Sequence, residues 1–212
     1  MDAEFWHQRW QKGETAFHEG QVNRLLEQHF QALNLPVGSR VFLPLCGKTR
    51  DIAWLLDKGY QVVGAELSEL AVKELFAGLG LTPVVIEKEN YRHYQAAQID
   101  ILVGDIFQLR QADIGRVDAI YDRAALVALP EIMRADYARQ LIELGQTAPQ
   151  LIITYEYAQH EMPGPPFAIP AAEVQQHYAL LYGIHEQVRQ VLQGGLKGKT
   201  SATEVLWLLT PL

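Results

Sequence analysis

Residues 41–56, VFLPLCGKTRDIAWLL, run from an apolar strand through a tight turn into an amphipathic helix. This unit constrains the fold most, because a strand feeding directly into a helix returns to its sheet as a parallel crossover. The pattern repeats along the chain. RVFLPL (40–45), QVVGAEL (61–67), TPVVIE (82–87), DILVGDIF (100–107), a segment near 117–121 and QLIITYEY (150–157) read as strands. Helices are expected between them, at 50–58, in ELAVKELFAGLG after the N-cap Ser68, and in PEIMRADYARQLIELG, with Pro130 at its start and Gly145 past its end. AAEVQQHYALLY is a further helix. The strands are nearly all apolar, as strands buried on both faces must be. An α/β sheet with helices on both faces follows.

The two ends of the chain depart from this alternation. Residues 1–35 read as helical, with Val22, Leu25, Leu26, Phe30 and Leu33 at helical spacing and Pro36-Val37-Gly38 as the stop. The last part reads as a hairpin, IHEQVRQVL and SATEVLWLLTPL around the glycine-rich QGGLKGKT. The polar, aromatic segment KENYRHYQAAQI reads as an insertion. No composition break or linker divides the 212 residues, so a single domain is expected.

The formal charge, 18 − 25 = −7, and the absence of any run of positive residues argue against a nucleic-acid partner. One cysteine excludes an intramolecular disulfide or a thiolate zinc cage, and the seven histidines show no metal-ligand spacing. The N-terminus lacks a secretory pattern and no apolar run approaches the ~20 residues of a membrane span. A soluble, cytoplasmic monomer without metal is the expectation.

In open parallel sheets, ligands bind beyond the carboxyl ends of the strands. Leu45-Cys46-Gly47, Glu66, Asp105-Ile106 and Asp122-Arg123 occupy those ends. Glu66 closes the second strand about 20 residues after the first turn, where a carboxylate accepts hydrogen bonds from ribose hydroxyls. The alternative is a solvent-facing carboxylate before a helix cap. Asp105 is either a reader of an adenine edge or an ordinary turn aspartate. Ile106 and Phe107 either flank a planar base or belong to the core. Arg123 requires a partner at its depth, either a ligand carboxylate or its own neighbour Asp122. Cys46 lacks a local nucleophile signature and is expected to pack rather than react.

The first turn narrows the ligand. GxxxxGK[ST] fails at Phe42, and GxGxxG fails as well. Pro44 removes one N–H and Leu45 crowds the turn, which suits adenosine without pyrophosphate, as in S-adenosyl-L-methionine.

Five blocks then carry a resemblance: WQKGETAFHEG (10–20), VFLPLCGKTRDIAWLLDKGYQVVGAELSELAV (41–72), DIFQL (105–109), IYDRAALVAL (120–129) and PGPPFAIP (163–170), with LWLLT near the end. In this order they resemble the thiopurine S-methyltransferases, over nearly the whole chain. The resemblance implies a Rossmann-like class I methyltransferase: a seven-stranded, mostly parallel sheet with an antiparallel last strand, residues 39–212 as catalytic core and 1–38 as an N-terminal helical cover. It implies S-adenosyl-L-methionine as cofactor and S-adenosyl-L-homocysteine as product. Trp10 is then expected against the cofactor, Leu45 on its methionine part, Glu66 on the ribose and Asp105 with Ile106 around the adenine. Arg123 is expected at the cofactor end near the acceptor, as the candidate catalytic residue without a general base, and Phe17 on the acceptor.

The acceptor implied is a small aromatic or heterocyclic thiol such as 6-mercaptopurine, in xenobiotic metabolism, with selenium and tellurium species associated with bacterial members. An O- or N-methyltransferase or a non-catalytic nucleotide-binding module are the rival readings. Apolar area in Trp6, Trp10, Phe17 and His18 suits a lid over an aromatic acceptor, although Trp6 is expected to pack against a sheet edge. Lys197 and Lys199 are weak candidates for charge on the acceptor side.

Overall fold

A computed structural model of the chain describes residues 3–15 and 18–212. Among these, nine strands form one sheet: β1 (Arg40–Pro44), β2 (Gln61–Glu66), β3 (Val84–Glu87), β4 (Tyr91–Ala96), β5 (Ile99–Gly104), β6 (Ala119–Arg123), β7 (Gln150–Glu156), β8 (Tyr182–Val191) and β9 (Thr203–Pro211). Their spatial order is β3-β4-β5-β2-β1-β6-β7-β9-β8. The run β5-β2-β1-β6-β7 is parallel, and β9 lies antiparallel between β7 and β8. The seven expected strands are thus present with their antiparallel last member.

The two additional strands form a hairpin on the β5 edge, where β4 pairs antiparallel with β5 and β3 with β4. TPVVIE is therefore not a parallel core strand, for Val84, Val85 and Ile86 are all exposed. The segment read as an insertion supplies β4. Its mixture of polar and aromatic residues suits an edge ribbon: Arg92 and Tyr94 share one face, where both bond Glu69, with Tyr94 buried and Arg92 exposed.

Alternate residues of each strand serve two cores. Phe42, Val63, Leu102, Ile120 and Ile152 face α5 (Gln111–Ile114), α6 (Glu131–Gly145) and α7 (Ala171–Tyr178) through Ile114, Tyr137, Leu141, Val174 and Tyr178. Val41, Val62, Ile101, Tyr121 and Leu151 face α2 (Arg24–His29), α3 (Arg50–Asp57) and α4 (Glu69–Leu79). The helix α6 includes Gly145 and ends on Gln146 in the left-handed region, so Gly145 is not the residue past its end.

The N-terminal region is less helical than expected. Helix α1 spans Ala3–Gln11, and among the described residues regular helix resumes only at α2. Asn23 sets that restart: its side-chain oxygen accepts from Leu25 N at 3.0 Å and Leu26 N at 3.3 Å as the N-cap. Leu25, Leu26, Phe30 and Leu33 join the core shared with α3. Buried Asp51, near the start of α3, ties this segment to the sheet. It accepts from Asn23 N at 2.8 Å and from Tyr121 Oη at 3.0 Å.

Candidate active site

Strand order reverses beside β1, whose two neighbours, β2 and β6, lead the chain to opposite edges of the sheet. A cavity of about 460 Å³ opens over the carboxyl ends of the strands at this point, within the usual range for small-molecule sites. Trp10, Leu45, Glu66, Asp105, Ile106 and Arg123 all line it. Phe17 lies outside the described residues.

The turn after β1 explains its own unusual sequence. Leu45 adopts φ 46°, an uncommon left-handed conformation for a branched side chain, and Gly47 follows at φ 54°. The turn's N–H groups point into the protein: Cys46 N donates to Ala65 O at 3.0 Å and Gly47 N to Glu66 Oε2 at 2.7 Å. A pyrophosphate loop would offer such donors to its ligand. Gly47 also lies under Trp10, where a Cβ would come 3.1 Å from the indole. The turn is built for an aromatic cover.

Glu66 is buried at 6% exposure at the end of β2. Its Oε1 accepts from Ser68 N at 2.8 Å while Oε2 takes Gly47 N. Burial raises its pKa, and backbone donors at Ser68, Gly47 and Leu67 oppose that rise. Each carboxylate oxygen has a further acceptor position, so Glu66 retains capacity for hydroxyl donors from the cavity. Asp105 is exposed and caps a short 3₁₀ turn through Phe107 N at 3.0 Å. Ile106 lines the cavity from the core, at 3% exposure.

Cys46 packs. Its sulfur fills the place a side chain at Gly64 would need, 2.8 Å from such a Cβ. Burial, then Glu66, push the thiol well above its ordinary range, leaving it protonated and unreactive. Cys46→Ala is expected to retain activity while losing about 1–2 kcal/mol of stability to the small void. Denaturant unfolding and activity measured together check this; a dead but stably folded variant would contradict it.

Arg123 ends β6 with its side chain 8% exposed and forms an ion pair with Glu19. Asp122 is bonded elsewhere, accepting from Leu126 N at 3.1 Å and Tyr137 Oη at 2.8 Å. Burial raises the pKa of Asp122 to about 6. The sequence alternative of an Asp122–Arg123 pair is therefore replaced by a long-range partner.

A model of the family described as thiopurine S-methyltransferase (TPMT) matches residues 1–208. The chain belongs to the thiopurine S-methyltransferase family. As a member it is a methyltransferase dependent on S-adenosylmethionine. The thiopurine S-methyltransferase of Teredinibacter turnerae is 51% identical over 210 residues, covering 99% of this chain and 98% of its own. That of Xanthobacter autotrophicus is 50% identical over 210 residues, covering 99% of both chains. Among solved structures, the 1,6-didemethyltoxoflavin-N1-methyltransferase of Burkholderia thailandensis superposes with TM-score 0.66 at 15% identity. It covers 98% of this chain and 87% of its own, with 1,6-didemethyltoxoflavin and S-adenosylhomocysteine bound. At that identity the likeness concerns the fold.

The inward-turned N–H groups and the residual acceptor capacity of Glu66 fit this family's donor, which has hydroxyls and no phosphate. The rest of the cavity gathers Trp6, His18 and Lys197, which the sequence reading named, with Tyr155, which it passed over. Trp6 lines it rather than serving only a sheet edge. His18 lines it with a pKa lowered by burial, then by Lys48, Arg50 and Arg123. Tyr155, near the end of β7, also lines it, and the strand-end rule that selected Glu66 would have selected it too. Lys197 reaches the cavity from the β8–β9 connection, its Nζ donating to Pro165 O at 2.7 Å. Lys199 is not part of the lining.

Proposed function

We propose that the chain transfers the methyl group of S-adenosylmethionine to the sulfur of aromatic and heterocyclic thiols, including thiopurines such as 6-mercaptopurine, with selenium and tellurium species as further acceptors. The observation that carries this reading is the continuity of one cavity from Glu66 to Arg123. Glu66 would hold the ribose, Asp105 and Ile106 the adenine, and Leu45 with Trp10 the methionine part. Arg123 would stand where cofactor and acceptor meet, with Phe17 contributing to the acceptor side.

When bound, S-adenosylmethionine supplies an electrophilic methyl group on a sulfonium. The chain's own residues supply position and electrostatics. A buried guanidinium at Arg123 favours the ionised form of a nearby thiol, which lowers the demand for a general base. The apolar lining at Val127, Leu129, Met133 and Leu196 excludes water around it. Arg123→Ala is expected to lower kcat roughly 10- to 100-fold with the fold intact by circular dichroism. Unchanged kinetics would assign Arg123 to structure alone.

His18 favours a second reading. A lowered pKa leaves its imidazole neutral near pH 7, and a neutral imidazole is the base an oxygen or nitrogen acceptor would require. Offering thiophenol and phenol to wild type and His18→Gln separates the two: thiol methylation that survives the change supports the sulfur reading, and phenol methylation that the change abolishes supports the other. We further read the chain as one catalytic domain, residues 1–38 covering 39–212, acting as a cytoplasmic monomer on small molecules rather than nucleic acid. The net charge of −7 supports the last point, and among the described residues no helix is long and apolar enough to cross a membrane.

A further inference from the structure

Among the described residues, three carboxylates line the cavity: Glu19, Glu66 and Asp105. Two of them belong to the expected cofactor end, where Glu66 is bonded to Gly47 and Ser68, and Asp105 to Phe107. Glu19 is the carboxylate paired with Arg123. Three more cations, Arg9, Lys48 and Lys197, line the same cavity, and Lys48 is paired with Glu74 at 2.6 Å. Arg9 has a Glu14 oxygen at 3.8 Å, while the Nζ of Lys197 donates to a carbonyl. Burial, then the charges of Arg9 and Lys199, lower the pKa of Lys197.

The two halves of the Arg123–Glu19 pair differ in setting. The Arg123 side chain is 8% exposed and the Glu19 side chain 48%. Arg123 extends from a sheet strand, with the Asp51 carboxylate and Tyr121 in its electrostatic surroundings. Glu19 lies on the irregular stretch between α1 and α2 and reaches in from solvent. The cation is a fixed part of the site, whereas the anion is the partner that can leave it. Removing the charge of Glu19 would leave Arg123 short of a partner at its depth, so glutamine, which keeps an acceptor oxygen for the guanidinium, is the replacement that best preserves the fold.

Resting on the sulfur-acceptor reading, we infer that Glu19 is a specificity-determining residue: in the free protein its carboxylate occupies the place at Arg123 that an anionic aromatic acceptor takes up. The acceptor class is then the ionised aromatic thiolate, which exchanges with Glu19, rather than the neutral thione, which leaves the pair intact. Of the three carboxylates among the described lining residues, Glu19 is the one set against Arg123, while Glu66 and Asp105 accept from backbone N–H groups.

Calorimetric titration without methyl donor tests this, using benzenesulfonate as a planar aromatic anion and benzenesulfonamide as its neutral counterpart. Glu19→Gln is expected to bind benzenesulfonate about two- to fivefold more tightly than the wild type, with benzenesulfonamide binding unchanged. Glu19→Ala, checked for an unaltered melting transition, is expected to shift in the same direction. Equal benzenesulfonate affinities, an equal gain for the neutral compound, or no binding by either protein would overturn the inference. A kinetic arm keeps it distinct from the sulfur reading. If wild type does not methylate thiophenol, that reading fails. If it does, but the KM for ionised thiophenol is the same in Glu19→Gln, the role of Glu19 fails.

Discussion

Replacing Glu66 with alanine is expected to weaken S-adenosylhomocysteine binding by about 1–3 kcal/mol, roughly five- to 150-fold, the range for losing hydrogen bonds to a charged acceptor. Two effects add. The cavity loses its buried carboxylate, and the turn loses the group that holds Gly47 N and Ser68 N at 2.7 and 2.8 Å. Glu66→Gln separates them, since it keeps the shape and one acceptor oxygen while removing the charge. An intermediate loss is expected for glutamine. Calorimetry on the three proteins provides the check, and an alanine variant binding within twofold of wild type would remove Glu66 from the cofactor site.

The second large effect concerns stability. Asp51→Ala is expected to cost about 2–4 kcal/mol, because two buried donors, Asn23 N and Tyr121 Oη, lose their shared acceptor. The figure is below the sum of two charge-assisted bonds because burial already raises the pKa of Asp51 and its removal relieves that desolvation. For a chain of 212 residues, this corresponds to roughly 5–15 °C in melting temperature. Asp51→Asn, which keeps one acceptor, should lose less. A change below about 0.5 kcal/mol in alanine would mean that the N-terminal segment is held by its apolar contacts alone. Because Asp51 also contributes to the potential around Arg123, the variant should in addition methylate more slowly than its folded fraction predicts.

How much of this was legible beforehand depends on the range of each interaction. Glu66 and the turn were legible because strand, turn, helix and second strand are consecutive, so their spacing defines the geometry. The missing glycines were informative for the same reason: the N–H groups of Cys46 and Gly47 are used by Ala65 and Glu66 of the adjacent strand. The β3–β4 hairpin was misread because an edge ribbon does not present the continuous apolar run of a buried strand. TPVVIE has that run but is exposed, and YRHYQA lacks it but pairs with β5.

Arg123 shows the limit most clearly. Its depth was evident from the apolar strand before it, but its partner was not. Asp122 is adjacent in sequence, yet it caps the turn at Leu126 and receives the Tyr137 hydroxyl, while Glu19 arrives from another part of the chain. No local spacing encodes that meeting. Lys197 and Lys199 were equal candidates in the sequence, and only the fold of the β8–β9 connection, which brings Lys197 to Pro165, separates them. Tyr155 was overlooked although it obeys the same strand-end rule as Glu66.

The most direct test of the account is methyl transfer itself. The purified chain, given S-adenosylmethionine labelled in its methyl group and 6-mercaptopurine, should yield 6-methylthiopurine with the label on sulfur, identified by mass spectrometry. Label appearing only on phenols or amines offered in parallel, or on no acceptor at all, would contradict it.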